Sequence, residues 1–215
     1  MKKAREQNFE RELPAHYKQA LYINAKNAKF GIVFNLIAVA VVIAVMAVAI
    51  LLLYAGGALS WDIFGVGATK LLVAYAVFIV ALLGYIVLHE ITHGIAYKAL
   101  TGEKLTFGIS WSCAFCGVPH IFTYRKTAVI SVIAPFALFS LILIPTAAVL
   151  YFVSPLYFLI SAMILGLHLG GCSGDLYVLY LLLVKFKEKK LLMRDTGPEQ
   201  FFYVPEEINS DSLEN

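Results

Sequence analysis

Charge is scarce in this chain: 14% of its 215 residues are Asp, Glu, Lys or Arg, against about 25% in a soluble globular domain. Cysteine is scarcer still, with only Cys113, Cys116 and Cys172, an odd number that does not describe a disulfide framework. No internal repeat is visible, which sets solenoids and propellers aside. No cleavable-looking signal sequence precedes the first apolar block. The net charge of +3 is small, and its basic residues sit beside apolar blocks instead of forming a stripe, so a nucleic-acid partner is not expected.

What the sequence does have is apolar length. Hydrophobic residues make up 60% of it, and they fall in blocks too long for a water-soluble core. No residue from Phe30 to Trp61 is charged, and Phe30 to Tyr54 as a helix would extend roughly 37 Å, more than a hydrocarbon core of about 30 Å. Gly56, Gly57, Ser60, Asp62 and Gly65 mark a connection, after which a second uncharged run, Leu71 to Leu88, leads into His89-Glu90-Ile91-Thr92-His93-Gly94. The uncharged stretch from Thr127 to Gly174 is too long for one span, and Ser154-Pro155 divides it into a third helix and a fourth that runs from about Leu156 to Lys185. The fold class expected is an α-helical integral membrane protein with four transmembrane helices.

Basic residues set the expected orientation, because cytoplasmic flanks carry the excess of Lys and Arg. They gather before Lys29, between Lys98 and Lys126, and from Lys185 to Arg194, and only Lys70 lies on the other side. The expectation is a multi-pass protein of the cell membrane with both termini cytoplasmic. It divides into a cytoplasmic segment (1–29), a membrane-embedded domain (30–185) and a cytoplasmic tail (186–215). Phe9, Leu13, Tyr17 and Leu21 recur at every fourth position, which suggests a helix on the membrane surface or an ordinary soluble one. Between the second and third helices, Leu105 to Phe115 alternates apolar with small residues like a strand, Gly117-Val118-Pro119 looks like a turn, and His120 to Tyr124 suits a returning arm. That connection is expected to be β-hairpin-like and cytoplasmic. Residues 209–215 read as disordered.

His89 and His93 are four residues apart, so on a helix both imidazoles reach one zinc from the same face while Glu90 approaches the water. Glu90 and Asp175 are the only acidic residues in the four expected spans, and a carboxylate near mid-membrane costs on the order of 2.5 to 3.5 kcal/mol. The two acids fall at similar depth on helices that run the same way, and an aspartate oxygen is an acceptable third ligand that leaves a fourth position for water. His168, seven residues before Asp175 and on nearly the same face, is the alternative ligand. Glu103 and Glu188 are poorer candidates, and Ala96 and Ala99 stand where a metzincin would place glycine and histidine. Gly166, Gly170 and Gly174 form a small-residue stripe that lets membrane helices approach closely. Cys113 and Cys116 read as small apolar fillers, Cys172 as packing, His120 as a turn histidine, and Asn35 as a bond to a neighbouring helix.

With HEITHG at His89 to Gly94, the alternating segment before Arg125, and GCSGDLY at Gly171 to Tyr177, the chain resembles a family of small membrane zincin peptidases. These in turn look like trimmed site-2 proteases. The resemblance covers about half of the chain. It implies zinc held by His89, His93 and Asp175, Glu90 as general base, and a protein or peptide substrate cleaved within or beside the lipid bilayer. Site-2 proteases usually carry an Asn-Pro-Asp-Gly or Leu-Asp-Gly element, whereas Ser173-Gly174 precede Asp175 here and Leu176 follows it. The group that would stabilise an oxyanion is therefore unassigned. A catalytically silent zinc scaffold shares the histidines without needing Glu90. A metal-handling transporter fits less well, since four helices without an inverted repeat make a poor transporter.

Overall fold

The computed structural model describes residues 8–59, 67–109, 114–187 and 190–206. Much of the expected connection around Asp62, residues 110–113 of the alternating segment, and the chain from 207 onward lie outside these. Among the described residues, four helical stretches are long and apolar enough to cross a membrane. The first, α1 (Ala28–Ala55), starts where the Asn27 side chain accepts a hydrogen bond from the Lys29 N–H at 2.9 Å, which satisfies one of the free amides of the first turn. The second, α2 (Ala68–Thr101), stops at Gly102, whose φ of 75° is left-handed, a conformation that glycine adopts without the Cβ penalty. The third, α3 (Arg125–Val153), keeps Pro135 and Pro145 inside it. Ser154 breaks the chain and Pro155 begins α4 (Pro155–Gly171), which continues through α5 (Ser173–Tyr180) and a π-helical turn at Leu181–Lys185.

α1 packs along α4, α4 along α3, and α3 along α2, whereas α1 and α2 scarcely touch each other among the described residues. The glycine stripe explains the first contact and then departs from it. A Cβ on Gly170 would lie 2.7 Å from Ala38 Cα and 2.8 Å from its carbonyl oxygen, and one on Gly166 would lie 3.1 Å from Val42 Cα. A Cβ on Gly174 would meet nothing within 4 Å. Two of the three glycines thus serve the helix contact, and Gly174 faces open space. Gly170→Val should lower the melting temperature in detergent markedly, since backbone cannot yield as a side chain can and overpacking costs about 1–3 kcal/mol. Gly174→Ala should leave it unchanged or slightly higher. Equal effects of the two substitutions would contradict this division.

The segments flanking the helices form a sheet that the sequence did not announce. Its strands β1 (Phe9–Glu10), β2 (Tyr17–Asn24), β5 (Phe122–Tyr124), β6 (Leu192–Asp195) and β7 (Glu199–Pro205) lie in the order β1-β5-β6-β7-β2, every pair antiparallel. A separate hairpin joins β3 (Thr106–Ile109) to β4 (Ala114–Gly117), with Phe107 opposite Cys116. Three expectations are corrected by this. The four-residue period from Phe9 to Leu21 is not a helix, because β7 offers residues 17–24 a ladder with one irregularity between Gln19 and Leu21, and Pro14 interrupts the expected helix from within. Leu105 to Phe115 is not one strand but includes both arms of a hairpin. Residues 122–124 are not its returning arm, since they pair with β1 and β6.

Sheet and helices share one core. Ile23, Met193, Phe202 and Val204 from the strands pack with Ala128 and Val132 of α3 and with Val178, Leu181 and Leu182. Arg125 adds a polar tie by donating to the carbonyls of Phe186 and Lys187. The consequence for the site is that the β6–β7 turn is held against the ends of α2 and α5.

Candidate metal centre

His89 and His93, one turn apart on α2, point the same way, and the tight α1–α4 contact ends where Asp175 enters α5. Asp175 Oδ2 lies 3.2 Å from His89 Nε2 and 3.5 Å from His93 Nε2, and one donor atom from each of the three lies within 4.8 Å of the others. These separations match the edge of about 3.3 Å of a tetrahedron whose metal–ligand bonds are about 2.0–2.1 Å. The Nδ1–H of His93 donates to the Ser131 carbonyl of α3 at 2.8 Å. That bond places the proton on Nδ1 and leaves the Nε2 lone pair facing the carboxylate, the usual outer support of a metal-ligating histidine. The donor set and its outward hydrogen bonds therefore fit zinc.

The three residues line a cleft of about 410 Å³. Phe30, Phe34, Asn35 and Ala38 of α1 line it together with Tyr85, Ile86 and Glu90 of α2 and with Gly170, Gly171 and Gly174. Ala114, Phe115 and Cys116 of β4 close one end together with Asp195 and Gly197. The Cys116 backbone amide is hydrogen-bonded to the Glu90 carboxylate, which ties that side chain to the hairpin. Asn35, expected to bond a neighbouring helix, is among the residues that line the cleft.

The profile of the family described as "Putative zincin peptidase" matches residues 82–190, which is 109 of the 215 residues. The chain belongs to this family. The matched region holds every candidate ligand together with Glu90, β3, β4 and all of α3 to α5. Zinc is the metal that a zincin uses, and the cluster just described suits it. No curated protein and no solved structure matches the chain.

Other candidates fall elsewhere in this zincin. Glu103 is paired with Arg11 at 2.7 Å, on the surface, and Glu188 and Cys113 lie outside the described residues. His120 is exposed in a turn. Cys116 is buried, and burial, with the charges of Asp195 and Glu90 nearby, pushes its thiol up to about 12, so it is a neutral filler at physiological pH and not a thiolate ligand. His168 is fully buried with Nδ1 turned toward the Tyr85 hydroxyl, and it forms a second potential metal-binding group with His89 and Cys172.

Sequence reasoning passed over Tyr85, Ser131 and Asp195. Tyr85 was within reach, since it stands one turn before His89. The Ser131 contact uses a backbone carbonyl, which leaves no trace in residue identity. Asp195 is buried at the β6–β7 turn, where it accepts hydrogen bonds from Tyr97 O–H and Gly197 N–H, both at 2.8 Å. Burial raises its pKa to about 6, and the two hydrogen bonds offset this only in part. The folded chain therefore holds this proton more tightly than the unfolded chain does. The stability cost of ionising Asp195 is absent below about pH 4, the ordinary aspartate value, and complete above about pH 6, so stability falls as pH rises through that window. Asp195→Asn keeps an acceptor for the Gly197 N–H and reverses the other contact, its amide N–H donating to the Tyr97 oxygen, and its melting temperature should gain on the wild type between pH 4 and pH 6.5. Parallel melting curves across that range would contradict the assignment.

Proposed function

We propose that this zincin is a membrane-embedded zinc metallopeptidase that hydrolyses peptide bonds of membrane or membrane-proximal proteins. The observation that carries the proposal is the convergence of His89 Nε2, His93 Nε2 and Asp175 Oδ2 beside Glu90 in one cleft. In this reading His89, His93 and Asp175 hold the metal and Glu90 moves the proton. Zinc held there supplies Lewis acidity, polarising a carbonyl and bringing the acidity of water to a pKa of about 7.

The chain's own residues do the remainder. Glu90, its carboxylate oriented by the Cys116 amide, takes a proton from the attacking water and gives it to the leaving amine. A peptide bond inside a helix is not open to attack, so the substrate must be extended at the site. β4 pairs only with β3 among the described residues, and its other edge borders the cleft, where an extended segment could add as a further strand. Gly171 and Gly174, which line the cleft and where a Cβ would meet nothing within 4 Å, leave room for its backbone. α1 and α2 scarcely touch among the described residues, which suits entry from the bilayer between them, and the Lys and Arg distribution favours both termini and the 100–126 connection on the cytoplasmic side.

The test uses the full chain in lipid vesicles with a panel of single-span membrane proteins. Cleavage should stop when a chelator strips zinc and return when one equivalent of zinc is restored. In the same vesicles, cysteine labels at position 62 and at positions 2 and 213 should react from opposite sides. Cleavage indifferent to chelation would reject the zinc mechanism, and zinc binding without cleavage across the panel would favour the silent scaffold.

A further inference from the structure

We propose that Tyr85, His168 and Ser140 form a hydrogen-bond chain, running from α2 through α4 to α3, that fixes the ring of His89 for metal binding. This rests on His89 being a ligand. Tyr85 stands four residues before His89 on α2, and its hydroxyl lies 3.1 Å from His89 Nδ1 and 2.9 Å from His168 Nδ1. On the far side of the second ring, His168 Nε2 lies 3.1 Å from the Ser140 hydroxyl.

Proton accounting gives the chain one direction. With the His89 Nε2 lone pair turned toward Asp175, its proton is on Nδ1 and donates to the Tyr85 oxygen. The single Tyr85 hydroxyl proton then goes to His168 Nδ1, which must be unprotonated. His168 accordingly carries its proton on Nε2 and donates it to Ser140. The Phe136 carbonyl, which can only accept, also hydrogen-bonds the His168 ring. The donors of His89, Tyr85 and His168 each have an acceptor and none of the three is charged, which is the inexpensive way to keep an imidazole in an apolar interior.

The chain is also held still. His168 has no exposed surface. Phe136 stacks on its ring with centroids 5.8 Å apart, and Tyr85 meets it edge-on at 5.5 Å. Tyr85 in turn meets Phe139 edge-on at 5.2 Å. His93 receives the equivalent support from a single backbone carbonyl, so each of the two histidines has its Nδ1 engaged by a fixed acceptor. A second cation bound by His89, His168 and Cys172 is the competing account of the same residues. The Tyr85 oxygen already occupies the space between the two Nδ1 atoms, and a metal there would have to displace it.

The experiment measures zinc affinity of the full chain in detergent by competition with a chromophoric chelator, and records the visible spectrum of the cobalt-loaded form. Tyr85→Phe should weaken zinc 10- to 100-fold, as loss of an outer partner of a ligating histidine does, while stoichiometry stays at one per chain and the cobalt bands shift. His168→Leu should do the same. His168→Gln, which can accept from Tyr85 and donate to Ser140, should recover most of the affinity, a rescue that filling space alone does not predict. If Tyr85→Phe fails to fold, the comparison of His168→Leu with His168→Gln decides. Unchanged affinity in Tyr85→Phe while His89→Ala loses zinc would overturn the chain and leave the ligand assignment standing. Full zinc retention in His89→Ala would overturn both. A second equivalent of zinc, lost on Cys172→Ser, would replace the chain with a second metal site.

Discussion

Glu90→Gln should retain zinc and lose cleavage by a factor on the order of 10² to 10⁴, the usual contribution of a general base. Glutamine matches glutamate in size and can still accept from the Cys116 amide through its carbonyl oxygen, so the cleft and the hairpin keep their positions. What it cannot do is take a proton at neutral pH. The comparison is made at matched zinc content in lipid vesicles, with melting temperatures of both forms recorded. A wild-type rate in the variant would remove Glu90 from the mechanism. A loss no larger than the loss of zinc would assign it to metal binding instead.

Replacing the three proposed ligands should act on the metal itself. His89→Ala, His93→Ala and Asp175→Ala each remove one of three converging donors, so each should weaken zinc by more than the 10- to 100-fold expected of an outer partner and abolish cleavage at limiting zinc. Asp175→Ala carries the most information. Its oxygen lies 3.2 and 3.5 Å from the two imidazole Nε2 atoms, and without it the two histidines face each other across an open position. Elemental analysis of the purified chains gives the occupancy. Full zinc in Asp175→Ala, together with its loss in His168→Ala, would move the third ligand to His168.

The four helices could be read from the sequence because an α-helix satisfies its backbone polar groups within its own segment, so each long apolar run carries its signal alone. Long uncharged runs bounded by Lys, Gly or Pro were therefore enough, and the observed helices begin and end close to those marks. The strands could not be read in the same way. Residues 17–24 are a ladder only because residues 199–205 lie beside them, and a period-four pattern of Phe9, Leu13, Tyr17 and Leu21 carries no record of that partner. The antiparallel pairing of β3 with β4 was hidden for a similar reason, since apolar alternation continues through both segments and gives no sign of a reversal.

The candidate site divides along the same line. His89, Glu90 and His93 were determined by the sequence alone, because spacing on one helix fixes which side chains share a face. Asp175 stood out by the energetic cost of a carboxylate in an apolar span. The tertiary structure decided which atoms meet: the Asp175 oxygen between two Nε2 atoms, the Ser131 carbonyl under His93, the Tyr85 hydroxyl between His89 and His168, and the Cys116 amide on Glu90. These contacts join α2 to α3, α4, α5 and β4, and they depend on backbone groups and on glycine positions where helices touch. A hydrogen bond of this kind needs placement to within a few tenths of an ångström, and that precision arises only when the separate elements are packed together.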